Sequence, residues 1–175
     1  MVTASVQTKR HSGRTVLEAV VNTHSSPVPA DVALLVARIA LAWIFIYYGG
    51  GKLFGWFNGP GFHRTALYMS QTAHLHPGGF FAFLGGVIEL FGGVAMAVGL
   101  ASRLAGAALF GDMVMAMITV TWATGLNNSV QPPGYQLNLA LAVLALVVAI
   151  LGSGRFSLDA LVERRLGSSG AWSTA

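Results

Sequence analysis

The chain has 175 residues, of which 54% are hydrophobic and 9% are charged, and its mean hydropathy is +0.65. This composition is too apolar for an ordinary soluble domain and predicts a small, all-α, polytopic membrane protein. The absence of cysteine excludes disulfides, thiol chemistry and cysteine-ligated iron–sulfur clusters. The formal net charge is +4. Because the basic residues flank apolar segments and form no dense patch, membrane orientation explains them better than nucleic-acid binding does.

The two ends of the chain are polar and are predicted to lie outside the membrane. Residues 1–29 contain basic residues and prolines but lack the apolar centre of a signal peptide, so they are predicted to form a disordered cytoplasmic tail. Residues 30–152 are predicted to form one membrane domain. Residues 153–175 are predicted to form a cytoplasmic C-terminal tail, which begins with a helix capped by Ser157.

Four apolar segments are each predicted to cross the membrane as a helix, at about residues 32–48, 79–100, 104–124 and 135–151. Asp31 is placed to cap the first helix, which is predicted to end at the triple glycine of residues 49–51. Apolar residues recur at helical spacing from Phe62 to Ala73 and predict a short amphipathic helix at the membrane interface. The predicted fold is therefore a four-transmembrane-helix bundle with one short interfacial helix.

Lys and Arg residues outside these segments predict the orientation of the bundle. Seven of them lie in the two tails and in the turn at residues 101–103, against two in the segment 49–78 on the opposite side. Cytoplasmic segments of membrane proteins carry the excess of positive charge. Both termini are therefore predicted to be cytoplasmic, which is an N-in, C-in topology.

Glu89 is the central candidate for a functional residue, because it is the one charged residue in the apolar segment 79–100. The residues three and four positions away share its helix face, and they are Gly85, Gly86, Gly92 and Gly93. A carboxylate near the middle of a membrane is costly and indicates function by default. The glycines would let another helix or a flat ligand approach the backbone. Alternatively, they form only a helix-packing groove, and Glu89 is a structural hydrogen-bonding anchor.

Arg38 and Asp112 are the other charges inside the predicted spans. At about 1.5 Å of rise per residue, counted from the cytoplasmic helix ends, Arg38, Asp112 and Glu89 lie at overlapping depths. Arg38 is therefore predicted to pair with one or both carboxylates, unless it snorkels to the near interface. Two acids around one arginine leave a surplus negative charge and predict a proton-active site. Lys52 and Arg103 are predicted to lie too near the interfaces to take part.

Histidine and methionine give only weak signals for metal or haem chemistry. His74 and His76 are close in sequence but have no carboxylate or cysteine nearby, so they are interpreted as interfacial residues. The methionines of the third span occupy alternate positions, which point in different directions on a helix, so they are interpreted as packing residues. No catalytic residue and no metal ligand is predicted.

Four motifs, taken together, resemble the DoxX family of bacterial inner-membrane proteins. They are LLVAR at residues 34–38, GGGKLFGWF at 49–57, GVIELFGG at 86–93 and GLASRLA at 99–105. The similarity covers about residues 32–160 and implies a four-helix membrane protein. By this resemblance, the recurring charged positions of the family are occupied by Arg38, Lys52, Glu89 and Arg103. The chain departs from the family pattern at two positions: Tyr48 stands where a histidine is common, and Gln136 stands where an acidic residue is common.

The resemblance also implies a function. Similar proteins include the small membrane subunit of thiosulfate:quinone oxidoreductase and a mycobacterial membrane complex with superoxide dismutase and a thiosulfate sulfurtransferase. The chain is therefore predicted to be a subunit of a redox or oxidative-stress complex that interacts with a quinone, with the lipid bilayer and with soluble oxidoreductases on the cytoplasmic face. The candidate binding residues are Arg38, Lys52, Gly85, Glu89, Gly92, Gly93, Arg103 and Asp112.

Two other functions fit the same sequence. One is a non-enzymatic membrane scaffold that recruits soluble enzymes, with the buried charges serving assembly alone. The other is a small-molecule or proton-coupled carrier, for which four short spans are few unless the protein dimerises. The sequence leaves open whether the chain is an enzyme and whether it forms a homo-oligomer.

Overall fold

The computed structural model describes residues 27–127, 129 and 133–162, and the regular elements within these ranges are all helical. They are α1 (Pro27–Phe54), α2 (Gly61–Gln71), α3 (Gly78–Val98), α4 (Ser102–Ala116) and α5 (Gln136–Leu151). A short 3-10 turn, Trp56–Asn58, follows α1, while a π-helical segment, Met117–Thr121, and a 3-10 turn, Trp122–Thr124, continue α4. Helix α2 is the short helix that was predicted between the first two spans.

Three helical segments are long and apolar enough to cross a membrane: Val28–Phe54, Gly78–Val98 and Ser102–Thr124. The fourth apolar helix, α5, has 16 residues, which corresponds to about 24 Å at the α-helical rise. These helices confirm the predicted polytopic helical bundle. The predicted N-terminal tail lies mostly outside the described residues, although residues 27–29 belong to α1 and not to a tail.

The four long helices run alternately in opposite directions, so the bundle has two ends. The start of α1, the end of α3, the start of α4 and the end of α5 meet at one of them, which we call the terminal end. There the backbone N–H of Arg155 donates to the Asp31 carboxylate at 3.0 Å, and the N–H of Asp159 donates to the Gly99 carbonyl at 2.9 Å. Helix α2 and the described residues between α4 and α5 lie at the opposite end, which we call the loop end.

All four long helices contribute to the core. The completely buried side chains include one from each helix: Leu41, Met96, Leu109 and Val148. Other large apolar side chains face outward, and Trp43 and Leu104 are 79% and 73% exposed. So much exposed apolar surface would be a liability in water, but it is what a helix bundle surrounded by lipid chains requires.

The predicted end of the first helix at residues 49–51 is wrong, because α1 continues through the three glycines to Phe54. The glycines permit close contact between helices: a Cβ added at Gly49 would overlap the backbone nitrogen of Leu90 in α3. The predicted cap is also wrong, since Asp31 lies within α1. The longer helix carries Lys52 into the bundle.

Asp159 caps α4 from the C-terminal segment. The backbone N–H groups of Ala101 and Ser102 donate to its two carboxylate oxygens at 2.7 Å and 3.0 Å. Partial burial alone would raise the pKa of Asp159, but these hydrogen bonds outweigh it and hold the pKa below its ordinary value. Ser157 caps the helical turn that begins at residue 158, as predicted, because its Oγ accepts from the N–H of Ala160 at 3.2 Å.

Candidate functional site

Lys52 and Glu89 form an ion pair inside the bundle. The Nζ atom of Lys52 donates to Oε1 of Glu89 at 2.7 Å, and the two side chains are 24% and 3% exposed. Lys52 lies in the last turn of α1, and Glu89 lies near the middle of α3. The prediction that Lys52 stays near the interface is therefore wrong, because it assumed that α1 ends before this residue.

Glycines around Glu89 let α1 and α4 approach α3 closely. A Cβ added at Gly93 would lie 2.9 Å from the backbone nitrogen of Ile46 in α1, and one at Gly92 would lie 2.9 Å from the Leu109 side chain in α4. Gly86 faces a leucine side chain of α1 in the same way. The sequence allowed either another helix or a flat ligand to approach this glycine face. At these three glycines the close neighbour is a helix.

Asp112 of α4 is the second acid near Lys52. Both residues line a groove of about 310 Å³ between α3 and α4. Gly85 leaves room for the carboxylate, because a Cβ there would lie 3.4 Å from Asp112 Oδ1. Asp112 Oδ2 and Glu89 Oε2 are both buried and have no hydrogen-bond partner among the described residues. The arrangement therefore contains two carboxyl groups and one cation, and the cation is a lysine.

The predicted pairing of Arg38 with Glu89 or Asp112 is wrong. The Arg38 side chain is 1% exposed and donates to backbone carbonyls at 2.7–3.0 Å, those of Met96, Ser153 and Phe156. These acceptors hold the guanidinium with three hydrogen bonds and no carboxylate, and the carbonyls of the last turn of α3 attract a cation. Arg38 and Lys52 are fourteen residues apart in α1, or about 21 Å. Arg38 therefore belongs to the terminal end. The alternative prediction, that it snorkels to the near interface, places its side chain toward the same end.

The structure divides the eight predicted binding residues into groups. Lys52, Gly85, Glu89 and Asp112 come together around the ion pair. Gly92 and Gly93 lie about one helical turn from Glu89 toward the terminal end. Arg38 and Arg103 lie at the terminal end, where Arg103 is exposed and its Nε would be 3.2 Å from a Cβ at Gly152.

A cavity of about 730 Å³ adjoins the Lys52–Glu89 pair and extends toward the loop end. Its polar side chains include Lys52, Glu89 and Arg64, and most of its wall is apolar or aromatic, with Phe45, Tyr48, Met113, Leu137 and Leu141. Both the volume and the small number of convergent polar groups are typical of small-molecule sites. We call this space the pair cavity.

The π-helical segment of α4 borders the pair cavity. Thr121, its last residue, lines the cavity, and the Thr121 Oγ1 atom is buried without a partner in the part of the chain that the structure describes. Such π segments inside α-helices are frequent at functional sites. Sequence reasoning missed both Thr121 and Arg64. The family resemblance did mark Lys52, and that was the available signal for the ion pair.

Comparisons with known proteins find a family model and a relative that match this chain. The DoxX family model matches residues 33–122, just over half of the chain. The inner membrane protein YqjF of Escherichia coli (strain K12) is 29% identical over 135 residues, which are 77% of this chain and 95% of that protein. No solved structure matches. The residues matched by the family model include Lys52, Glu89 and Asp112.

Proposed function

This chain belongs to the DoxX family, and we propose that it is a multi-pass subunit of a redox complex of the bacterial inner membrane that binds a quinone in the pair cavity. The location is supported by the similarity to an inner membrane protein of Escherichia coli. The observation that carries the quinone assignment is the lining of the cavity, which has the Lys52–Glu89 pair among mostly apolar and aromatic walls.

The groups in the pair cavity suit the chemistry of a quinone. A quinone head is a flat ring whose carbonyl oxygens accept hydrogen bonds. The Lys52 ammonium has three N–H donors and uses one of them on Glu89, while Tyr48 and Arg64 bring further donors to the same cavity. The apolar walls suit the ring faces and the hydrocarbon tail. These side chains would bind the head with its carbonyl oxygens toward the ion pair.

Glu89 is the residue to which we assign the proton. Reduction of a quinone to a quinol takes two electrons and two protons; the electrons would come from an oxidoreductase partner that reaches the loop end, and the second proton would come from water on that side. Glu89 Oε2 is buried and unpartnered in the described residues, and Asp112 adds a second carboxyl group near the same lysine. When both acids are ionised, they carry one negative charge more than Lys52 neutralises. One of them can therefore hold a proton. Glu89, which lines the cavity, would pass a proton to the ring oxygen.

Filling the pair cavity should remove quinone binding. Leu137 lines the cavity and is 39% exposed, so Leu137→Trp places an indole in the space without replacing a core residue. We expect a short-chain ubiquinone to bind this variant at least about ten-fold more weakly than the unchanged protein. The affinity would be measured by isothermal titration calorimetry on protein purified in a mild detergent.

Leu139→Trp is the matched control, because Leu139 lies on the same helix, is 40% exposed and is not part of the cavity lining. Equal affinity in the two tryptophan variants, or no saturable binding to the unchanged protein, would reject the quinone site. Mass spectrometry of gently purified protein separates the alternatives: soluble enzymes retained without a bound quinone would favour the scaffold.

We also propose that the terminal end faces the cytoplasm. Seven Lys and Arg residues belong to the tails and the turn at that end of the bundle. Two were counted at the opposite end, but one of them, Lys52, lies within the bundle, so the excess of positive charge at the terminal end is larger than the sequence count indicated. A reporter that is active only in the cytoplasm should work when fused after Ala175 and should fail when inserted after Asn127, in the segment that joins α4 to α5. The reverse result would overturn the orientation.

A further inference from the structure

The groove between α3 and α4 opens at the outer surface of the bundle. Leu84 and Met115 line it and are 41% and 42% exposed. Gly111, which also lines it, has no atom within 4 Å of the position that a Cβ would take. In a membrane this outer surface meets lipid chains. The groove is therefore open to a molecule that arrives sideways from the bilayer, and we call it the lateral groove.

Asp112 places a carboxylate oxygen without a hydrogen-bond donor in the lateral groove. Its Oδ2 atom is buried and has no partner in the described ranges. Of the other polar side chains in the lining, Lys52 is a donor and already pairs with Glu89, and Thr119 Oγ1 donates to the Met115 carbonyl at 2.8 Å. A buried carboxylate oxygen without a donor is costly, so a ligand that brings a donor to this point would be stabilised.

We propose that the lateral groove binds a lipophilic primary amine, with its ammonium group at Asp112 and its hydrocarbon chain between α3 and α4. Charge complementarity selects this occupant. Lys52, Glu89 and Asp112 together have one more acid than base, so while neither acid holds a proton, an ammonium group both balances that charge and donates to the carboxylate. An alcohol of the same length offers a donor without the charge. A fatty acid would bring a second carboxylate to the groove and would be repelled.

This site is distinct from the quinone site in its chemistry. In the pair cavity the ligand accepts hydrogen bonds from Lys52, whereas in the lateral groove the ligand donates them to Asp112. The alanines of α4 that line the groove, Ala107 and Ala108, leave width for an alkyl chain beside α3. The two sites are therefore expected to respond to different substitutions.

The test is direct binding of decylamine, with decanol as the uncharged probe of equal chain length, to full-length protein in lipid nanodiscs of neutral phosphatidylcholine. Empty nanodiscs give the background from partitioning into the bilayer. Calorimetry should give saturable binding of decylamine that is at least about ten-fold tighter than that of decanol. Asp112→Asn and Gly111→Leu should each weaken decylamine binding about ten-fold or more, the first by removing the charge and the second by filling the groove. Leu137→Trp should leave it unchanged.

Gly111→Leu keeps the test decisive if Asp112→Asn gives no folded protein, because the open space at Gly111 accommodates a side chain. Unchanged decylamine affinity in either folded variant would overturn the proposal, and so would equal affinity for decanol. Loss of ubiquinone binding in Leu137→Trp with retained decylamine binding would support both sites. Loss of decylamine binding in Gly111→Leu, with decylamine binding retained in Leu137→Trp, would support the amine site whether or not the protein binds ubiquinone.

Discussion

Lys52→Met should destabilise the protein strongly, and adding Glu89→Gln should restore part of the loss. Removing one partner of a buried ion pair costs about 3–5 kcal/mol when the other charge remains, and here both Glu89 and Asp112 lose their cation. Uptake of a proton by either acid lowers this cost. The neutral amide of Glu89→Gln removes one of the two charges, so the double variant should melt at a higher temperature than Lys52→Met.

Glu89→Gln alone should be milder than Lys52→Met, because Asp112 remains near the lysine as a counter-charge. Arg64→Met is the matched control: Arg64 also lines the pair cavity, but its side chain is exposed, so its loss should change the melting temperature little. The measurements are thermal melting in detergent and the yield of monodisperse protein. If the effects of Lys52→Met and Glu89→Gln simply add, the two residues are not coupled, contrary to the geometry.

Gly49→Ala should also destabilise the protein, although alanine is the better helix former. In an exposed helix interior this change would gain roughly 0.5–1 kcal/mol. At Gly49, however, the added Cβ would overlap the backbone nitrogen of Leu90 and lie 2.9 Å from its Cα, and backbone atoms cannot move aside as a flexible side chain can. Overpacking of this kind costs about 1–3 kcal/mol, so we expect a net loss of stability.

Gly111→Ala provides the control with the opposite sign. Gly111 is a helical glycine of α4 with no atom within 4 Å of an added Cβ, so alanine there should stabilise the protein by its helix propensity alone. Melting temperatures of the two variants, measured in the same detergent, should therefore shift in opposite directions. A rise in both would mean that α1 and α3 are not in close contact at Gly49.

The fold was largely predictable because membrane helices follow from hydropathy and length. The segment predicted at residues 79–100 is observed as Gly78–Val98, and that at 135–151 as Gln136–Leu151. The first helix was the exception. Three consecutive glycines read as a break in an isolated sequence, but the contact of Gly49 with α3 supplies tertiary packing that outweighs their low helix propensity.

The site was only partly predictable, because depth in the membrane does not tell which way a side chain points. Glu89 and Asp112 were identified as buried acids by the cost of charge in lipid. Their cation was wrongly assigned to Arg38. That guanidinium donates instead to backbone carbonyls of residues 153 and 156, which lie so far along the chain that no sequence pattern indicates the contact. The correct cation, Lys52, was excluded by the same mistaken helix end.

The partners of Arg38 impose an order on the assembly of the protein during its synthesis. Arg38 enters the membrane with the first helix, yet two of its acceptors, the carbonyls of Ser153 and Phe156, come 115 and 118 residues later in the chain. Until the last helix has left the ribosome, this guanidinium must stay hydrated or bind lipid phosphates. A chain cut short before residue 153 would therefore lack two of the three carbonyls that accept from Arg38, even with α1 and α3 already in contact.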